Sequence, residues 1–142
     1  MNAVLLDTNA LIWFTARARM APPALDAIAT AQNADGIFVS PISAWEVGVA
    51  LYKQRGRPDL GGQDVAAWFR NALRLPGIKL ALPSQRIAIE AARVPTIFGH
   101  RDPGDCFLIA TARIKKVPII TRDRRMHRLA ATHPDFLRTI DC

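Results

Sequence analysis

Val4-Leu5-Leu6-Asp7-Thr8-Asn9 and Pro118-Ile119-Ile120-Thr121-Arg122-Asp123 share one design: a short apolar run gives way to polar residues that include an aspartate. In both runs the apolar residues are consecutive rather than alternate, which suits a strand buried on both faces of a parallel sheet. A third run of this kind spans Ile37 to Val39, and a fourth strand is expected over Leu137 to Ile140. Helical patterns lie between them. Pro22-Pro23 opens one, and Ser40-Pro41 and Asp102-Pro103 each pair a capping residue with a proline suited to the first turn. Two more patterns run from about Gln63 to Leu73 and from about Ser84 to Arg93, with Pro95 to Arg101 read as a loop. Strands alternating with helices give an α/β fold with a central, mostly parallel sheet.

The chain has 142 residues, half of them hydrophobic, enough for one good core, so residues 1–142 are expected to form a single domain. The stretch Gly56 to Gly62 reads as a surface loop rather than a linker. Two cysteines, Cys106 and Cys142, are too few for a disulfide framework or a zinc site, and they fit a reducing cytoplasm. The first residues lack the basic start and apolar length of a signal peptide, and no run is long enough to span a membrane. A formal charge of +7 favours a polyanionic partner.

Asp7 and Asp123 close the first and third strands, so both are expected at the strands' C-terminal edge, where open α/β sheets place their ligands. Glu46, early in the helix after the second strand, belongs to the same edge. Asp105 opens the helix that precedes the third strand, and on this reasoning it sits on the opposite edge unless the 95–101 loop carries it back. Each acid also has a local explanation. Asp7 can cap a helix, Glu46 can complete a capping box with Ser43, Asp105 can favour a helix dipole, and Asp123 can serve a turn. Three like charges on one edge nevertheless destabilise the protein unless cations neutralise them. Hard divalent ions such as Mg2+ or Mn2+ suit such oxygen ligands, and the chemistry they support is in-line displacement at phosphorus. His100, His127 and His133 show no spacing typical of zinc ligands.

Four segments, Leu6-Asp7-Thr8-Asn9-Ala10-Leu11-Ile12-Trp13, Val39-Ser40-Pro41-Ile42-Ser43-Ala44-Trp45-Glu46-Val47, His100-Arg101-Asp102-Pro103-Gly104-Asp105 and Ile120-Thr121-Arg122-Asp123, occur in an order that resembles the PIN-domain nucleases. The likeness is strongest to the VapC-type toxins of bacterial toxin–antitoxin pairs. It implies a three-layer fold of a parallel sheet flanked by helices, and an acidic pocket of Asp7, Glu46, Asp105 and Asp123. Asp7 and Asp105 would be the direct metal ligands, with Thr8, Asn9, Asp102 and Thr121 in support. It also implies an RNA substrate, an Mg2+ or Mn2+ cofactor, a homodimer and an inhibitory antitoxin, and it places Asp105 in the pocket. The run Gly104-Asp105-Cys106 departs from the family pattern, which often has a bulkier residue before this acid and an arginine after it.

Arg113 to Arg128 is dense in cations and brackets Asp123. Arg101, Arg122, Arg124 and Arg125 are the expected contacts to RNA phosphates. Among the aromatic residues, Trp45 reads as buried, at core spacing with Ile42 and Val49, while Trp68 and Phe69 suit either the core or a partner groove. A haloacid-dehalogenase-like phosphatase would need a second acid where Asn9 stands. A housekeeping RNA-processing nuclease and a non-catalytic RNA-binding module are the remaining alternatives.

Overall fold

The computed structural model describes residues 1–142. In chain order the elements are β1 (Ala3–Leu6), α1 (Thr8–Thr15), α2 (Pro22–Gln32), β2 (Gly36–Val39), α3 (Pro41–Ala50), α4 (Val65–Ala72), β3 (Ile78–Leu80), α5 (Gln85–Phe98), α6 (Pro103–Lys115), β4 (Ile119–Thr121), α7 (Arg124–Thr132) and β5 (Thr139–Asp141). The five strands form one sheet in the order β3-β2-β1-β4-β5, and every pairing is parallel.

Side chains of β1 alternate between the two faces, so the strand belongs to two cores at once. Val4 and Leu6 join Leu11, Ile28, Val47 and Trp68 in the core under α1 to α4. Ala3 and Leu5 join Ile87, Val94, Ile109 and Met126 in the core under α5 to α7. The result is a three-layer α/β/α arrangement. Complete burial of each large aliphatic residue, as at Leu5, Leu6 and Ile119, contributes roughly 1.5–3 kcal/mol before cavity effects.

Three expectations change. The helix read as ending near Arg93 continues through Pro95 to Phe98, where Gly99 caps it with a left-handed backbone and its N–H reaches the Pro95 carbonyl. Pro95 therefore sits inside a helix rather than opening a loop. β3 went unread, because Ile-Lys-Leu is too short and too polar to signal a strand; it forms an edge beside β2. α7 lies in the stretch that the sequence marks only as basic, and Met126 and Leu129 give it a buried stripe.

Order places the site. From β1 the chain moves outward to β2 and β3, then returns to β4 on the other side of β1. The reversal between β1 and β4 is the position at which such sheets open a crevice at their carboxyl ends.

Candidate active site

β1 and β4 are neighbours, so Asp7 and Asp123, just beyond their ends, meet at one edge; the Asp7 N–H donates to the Ile120 carbonyl at 3.2 Å. Both acids also cap helices. Asp7 Oδ1 accepts from Ala10 N at 2.7 Å to start α1, and Asp123 Oδ1 accepts from Arg125 N at 2.8 Å to start α7. In each case the cap engages Oδ1, and Asp7 Oδ2 is left without a helix partner. Helix capping by these residues therefore does not exclude a further role for their carboxylates.

Asp105 reaches the same edge from the first turn of α6. The topological expectation that it belongs to the far edge is incorrect, because a helix leading into a parallel strand runs opposite to that strand and begins at its carboxyl end. Asp102 caps α6 through Oδ1, which accepts from Asp105 N at 3.0 Å. The reading of Glu46 as half of a capping box also fails. Ser40 is the cap of α3, Ser43 is buried within the helix, and the Glu46 carboxylate Oε1 accepts from the Thr8 hydroxyl at 2.6 Å.

Together these residues enclose a cleft of about 260 Å3 lined by Asp7, Thr8, Asn9, Trp13, Glu46, Asp105, Arg122 and Asp123. At its rim, possible ligand atoms of Glu46, Asp102 and Asp105 lie within 4.8 Å of one another, as do those of His100, Asp105 and Asp123. Asp105 is common to both trios. Asp7 lies outside either trio, deeper in the cleft and only 7% exposed. His100 is the member that spacing did not reveal, since its proximity to Asp105 comes from the turn between α5 and α6 and not from a sequence interval.

The electrostatics show how crowded the acids are. Burial pushes Glu46 up to about 7; the charges of Asp105, Asp102 and Asp7 add to the shift, and the Thr8 hydrogen bond opposes it. Burial, with the charges of Asp102 and Asp123, raises Asp105 to about 6 against the pull of His100. Asp7 is raised mainly by burial, while the Thr121 hydroxyl and the Ala10 N–H favour its charged form. Asp123 is the exception: burial acts to raise it, but the backbone N–H and guanidinium of Arg125 prevail and hold it low. A cluster of oxygen donors in which burial first, and neighbouring negative charge second, disfavours the ionised forms of Asp7, Glu46 and Asp105 fits a hard divalent cation such as Mg2+ or Mn2+.

The cations are distributed unequally. Arg125 stands 3.3 Å from Asp123 and 3.5 Å from Asp105. Arg122 lines the cleft but is already committed: it donates to the carbonyls of Cys142 and Arg19, and its guanidinium lies 3.8 Å over the Trp13 ring. Arg101 and Arg124 are exposed. Trp45, expected in the core, is 54% exposed in the middle of α3, and Val49 near the helix end and Tyr52 just beyond it are exposed as well. Trp68 is buried, its indole N–H donating to Thr15 Oγ1 at 3.0 Å.

A model of the PIN domain matches residues 4–132, a span that contains all four acids. The chain belongs to the PIN domain family. The three-layer architecture and the all-parallel sheet are those of this family. No protein of curated function matches the chain significantly in sequence. Several solved structures share its fold. VapBC2 from Rickettsia felis, bound to a DNA fragment from its promoter, is 11% identical with a TM-score of 0.68, covering 98% of each chain. DNA-bound VapBC from Salmonella typhimurium is 14% identical with a TM-score of 0.65, covering 99% of this PIN domain and 98% of that chain. VapBC-5 from Mycobacterium tuberculosis, of a toxin–antitoxin family, is 18% identical with a TM-score of 0.57 over 99% and 98%.

Proposed function

We propose that this PIN domain is a metal-dependent endoribonuclease and the toxin of a toxin–antitoxin pair. The observation that carries the reading is the convergence of Asp7, Glu46, Asp105 and Asp123 on one cleft at the carboxyl edge of the sheet. Asp7 and Asp105 would hold the cation, with Asp123, Asp102 and the Glu46 carboxylate around it. Mg2+ or Mn2+ bound there would supply an activated water and stabilise the leaving oxygen of an in-line displacement at phosphorus. Glu46 titrates near neutrality, so its carboxylate suits uptake or return of a proton at Oε2, the oxygen that Thr8 does not engage. The Thr121 hydroxyl favours the charged form of Asp7, and Asn9 lines the cleft.

RNA as the substrate is supported by a second groove, about 510 Å3, that adjoins the acids on the α7 side. Arg101, Arg125 and Arg128 line it, with Phe98 and His133 as ring surfaces for unpaired bases. The phosphates flanking a scissile bond need such cations, because the acidic cleft itself repels them. Arg124 lies at the start of the same helix as a further phosphate contact. The toxin assignment is supported by the VapBC complexes that share the fold, and it brings an antitoxin as partner; the homodimer is what the family resemblance implies. The exposed side chains of Trp45, Val49 and Tyr52 supply apolar surface for a protein partner. No helix is long and apolar enough to cross a membrane.

Purified protein incubated with total cellular RNA and Mg2+ or Mn2+ is expected to give discrete fragments that disappear with chelator and with Asp7→Asn. Intact RNA under all conditions, from folded protein free of inhibitor, would overturn the assignment.

A further inference from the structure

His100 lies in the turn between α5 and α6 and is only 8% exposed. Its Nε2 is 2.8 Å from Asp105 Oδ2, where the ring N–H donates to the carboxylate. The backbone of the same residue is fixed as well: the Cys106 thiol donates to the His100 carbonyl at 3.1 Å. Cys106 is itself buried, so the residue that occupies the family's arginine position here serves to hold the turn that carries His100. Asp105 is thus gripped on three sides, by His100, by the Asp102 cap on its own N–H, and by Arg125 3.5 Å from Oδ2.

The grip has a physical purpose only if the carboxylate must keep one orientation. A glutamate or aspartate free to rotate loses side-chain entropy and realigns when it binds a cation, whereas a partner that already occupies one oxygen fixes the rotamer in advance. Arg125 cannot do this alone, since its guanidinium is mostly exposed and shared with Asp123. His100 is buried and aimed at one oxygen.

We infer that His100 is a positioning residue, which orients the Asp105 carboxylate for the divalent cation through an Nε2–H hydrogen bond to Oδ2. The inference rests on the proposed metal chemistry of the cleft. It does not make His100 a ligand, although its nitrogen lies within ligand distance of the same acids.

Mn2+ binding measured by calorimetry on the full chain tests the role without requiring any cleavage. His100→Gln places an amide N–H near the position of Nε2, while His100→Leu fills the space without a donor. The expected result is a Kd raised about 10- to 100-fold in His100→Leu, the usual range for the loss of a group that orients a metal ligand, and a Kd within about threefold of wild type in His100→Gln. Thermal unfolding is measured in parallel, and the rescue by glutamine is the readout that a merely structural role would not produce. Equal Mn2+ affinity in His100→Leu and wild type would overturn the positioning role alone. Equal loss in both variants would also overturn it, in favour of direct ligation by the ring nitrogen. A wild-type protein that binds no Mn2+ would overturn the metal chemistry of the cleft and the role of His100 with it.

Discussion

Gly104 is the residue that lets the site close. A Cβ built there would fall 2.5 Å and 2.8 Å from the two carboxylate oxygens of Glu46, distances that no real methyl group tolerates. The backbone angle at Gly104 is unremarkable for a helix, so the requirement is for space and not for conformation. Gly104→Ala is therefore expected to fold, because the obstructed group is the end of a flexible side chain, with a loss of no more than about 1 kcal/mol. Glu46 would swing away from Thr8 and the cleft, and kcat should fall roughly 100- to 10,000-fold, as for loss of a single acid–base group. Kinetics beside a melting curve checks this; unchanged kcat would show that Glu46 plays no part in the chemistry. At this scale the sequence conveyed much. Asp7, Glu46 and Asp123 could be named from their places in the strand and helix pattern, whereas Asp105 came from the family resemblance against a pattern that put it on the far edge; the structure brings all four to one cleft. Gly104 registered only as a departure from the family pattern, because the atom it accommodates belongs to a residue 58 positions away in a different helix.

Elements rather than single residues set the electrostatic strain. The beginnings of α1, α6 and α7, with the middle of α3, all arrive at one sheet edge, and each delivers an acid. Glu46 at about 7 and Asp105 at about 6 lie above the usual carboxylate range, so the folded protein binds more protons than the unfolded chain. The stability these two groups contribute is complete below about pH 4, and it is lost as pH rises through 6 and then 7. Glu90 and Asp123 are shifted downward, so their linkage acts at lower pH and leaves this window unaffected. Metal-free protein should melt several degrees higher at pH 5 than at pH 8, and Mn2+ should raise the melting temperature far more at pH 8. A metal-free melting temperature that increases between those pH values would contradict the assembly described. The elements were unequally legible. β1, β2 and β4 announced themselves through unbroken apolar runs, whereas β3 is an exposed edge of three residues and α7 hides its apolar stripe among five charged or polar positions. Pro95 gave the wrong boundary because a proline is read locally, while the packing of α5 against α6 is what carries the helix past it.

At the scale of the whole molecule, the acids and the cations occupy different sides of one edge. On the proposed function, a cation in the acidic cleft and phosphates in the neighbouring arginine groove would together neutralise the centre. The net charge of +7 favours a polyanionic partner without locating a surface for it; only the fold shows that Arg125 joins the two regions while Arg122 is tied to Trp13 and to backbone carbonyls. The central claim is that the carboxylate cleft holds a divalent cation that hydrolyses RNA. Single-turnover cleavage of a defined single-stranded RNA, followed as Mn2+ is titrated into wild type and Asp105→Asn, tests it most directly. The account predicts saturable, chelator-reversible cleavage in the wild type and a loss of roughly 100-fold or more in the variant. Cleavage that ignores the metal, or that survives in Asp105→Asn at the wild-type rate and Mn2+ midpoint, would contradict it.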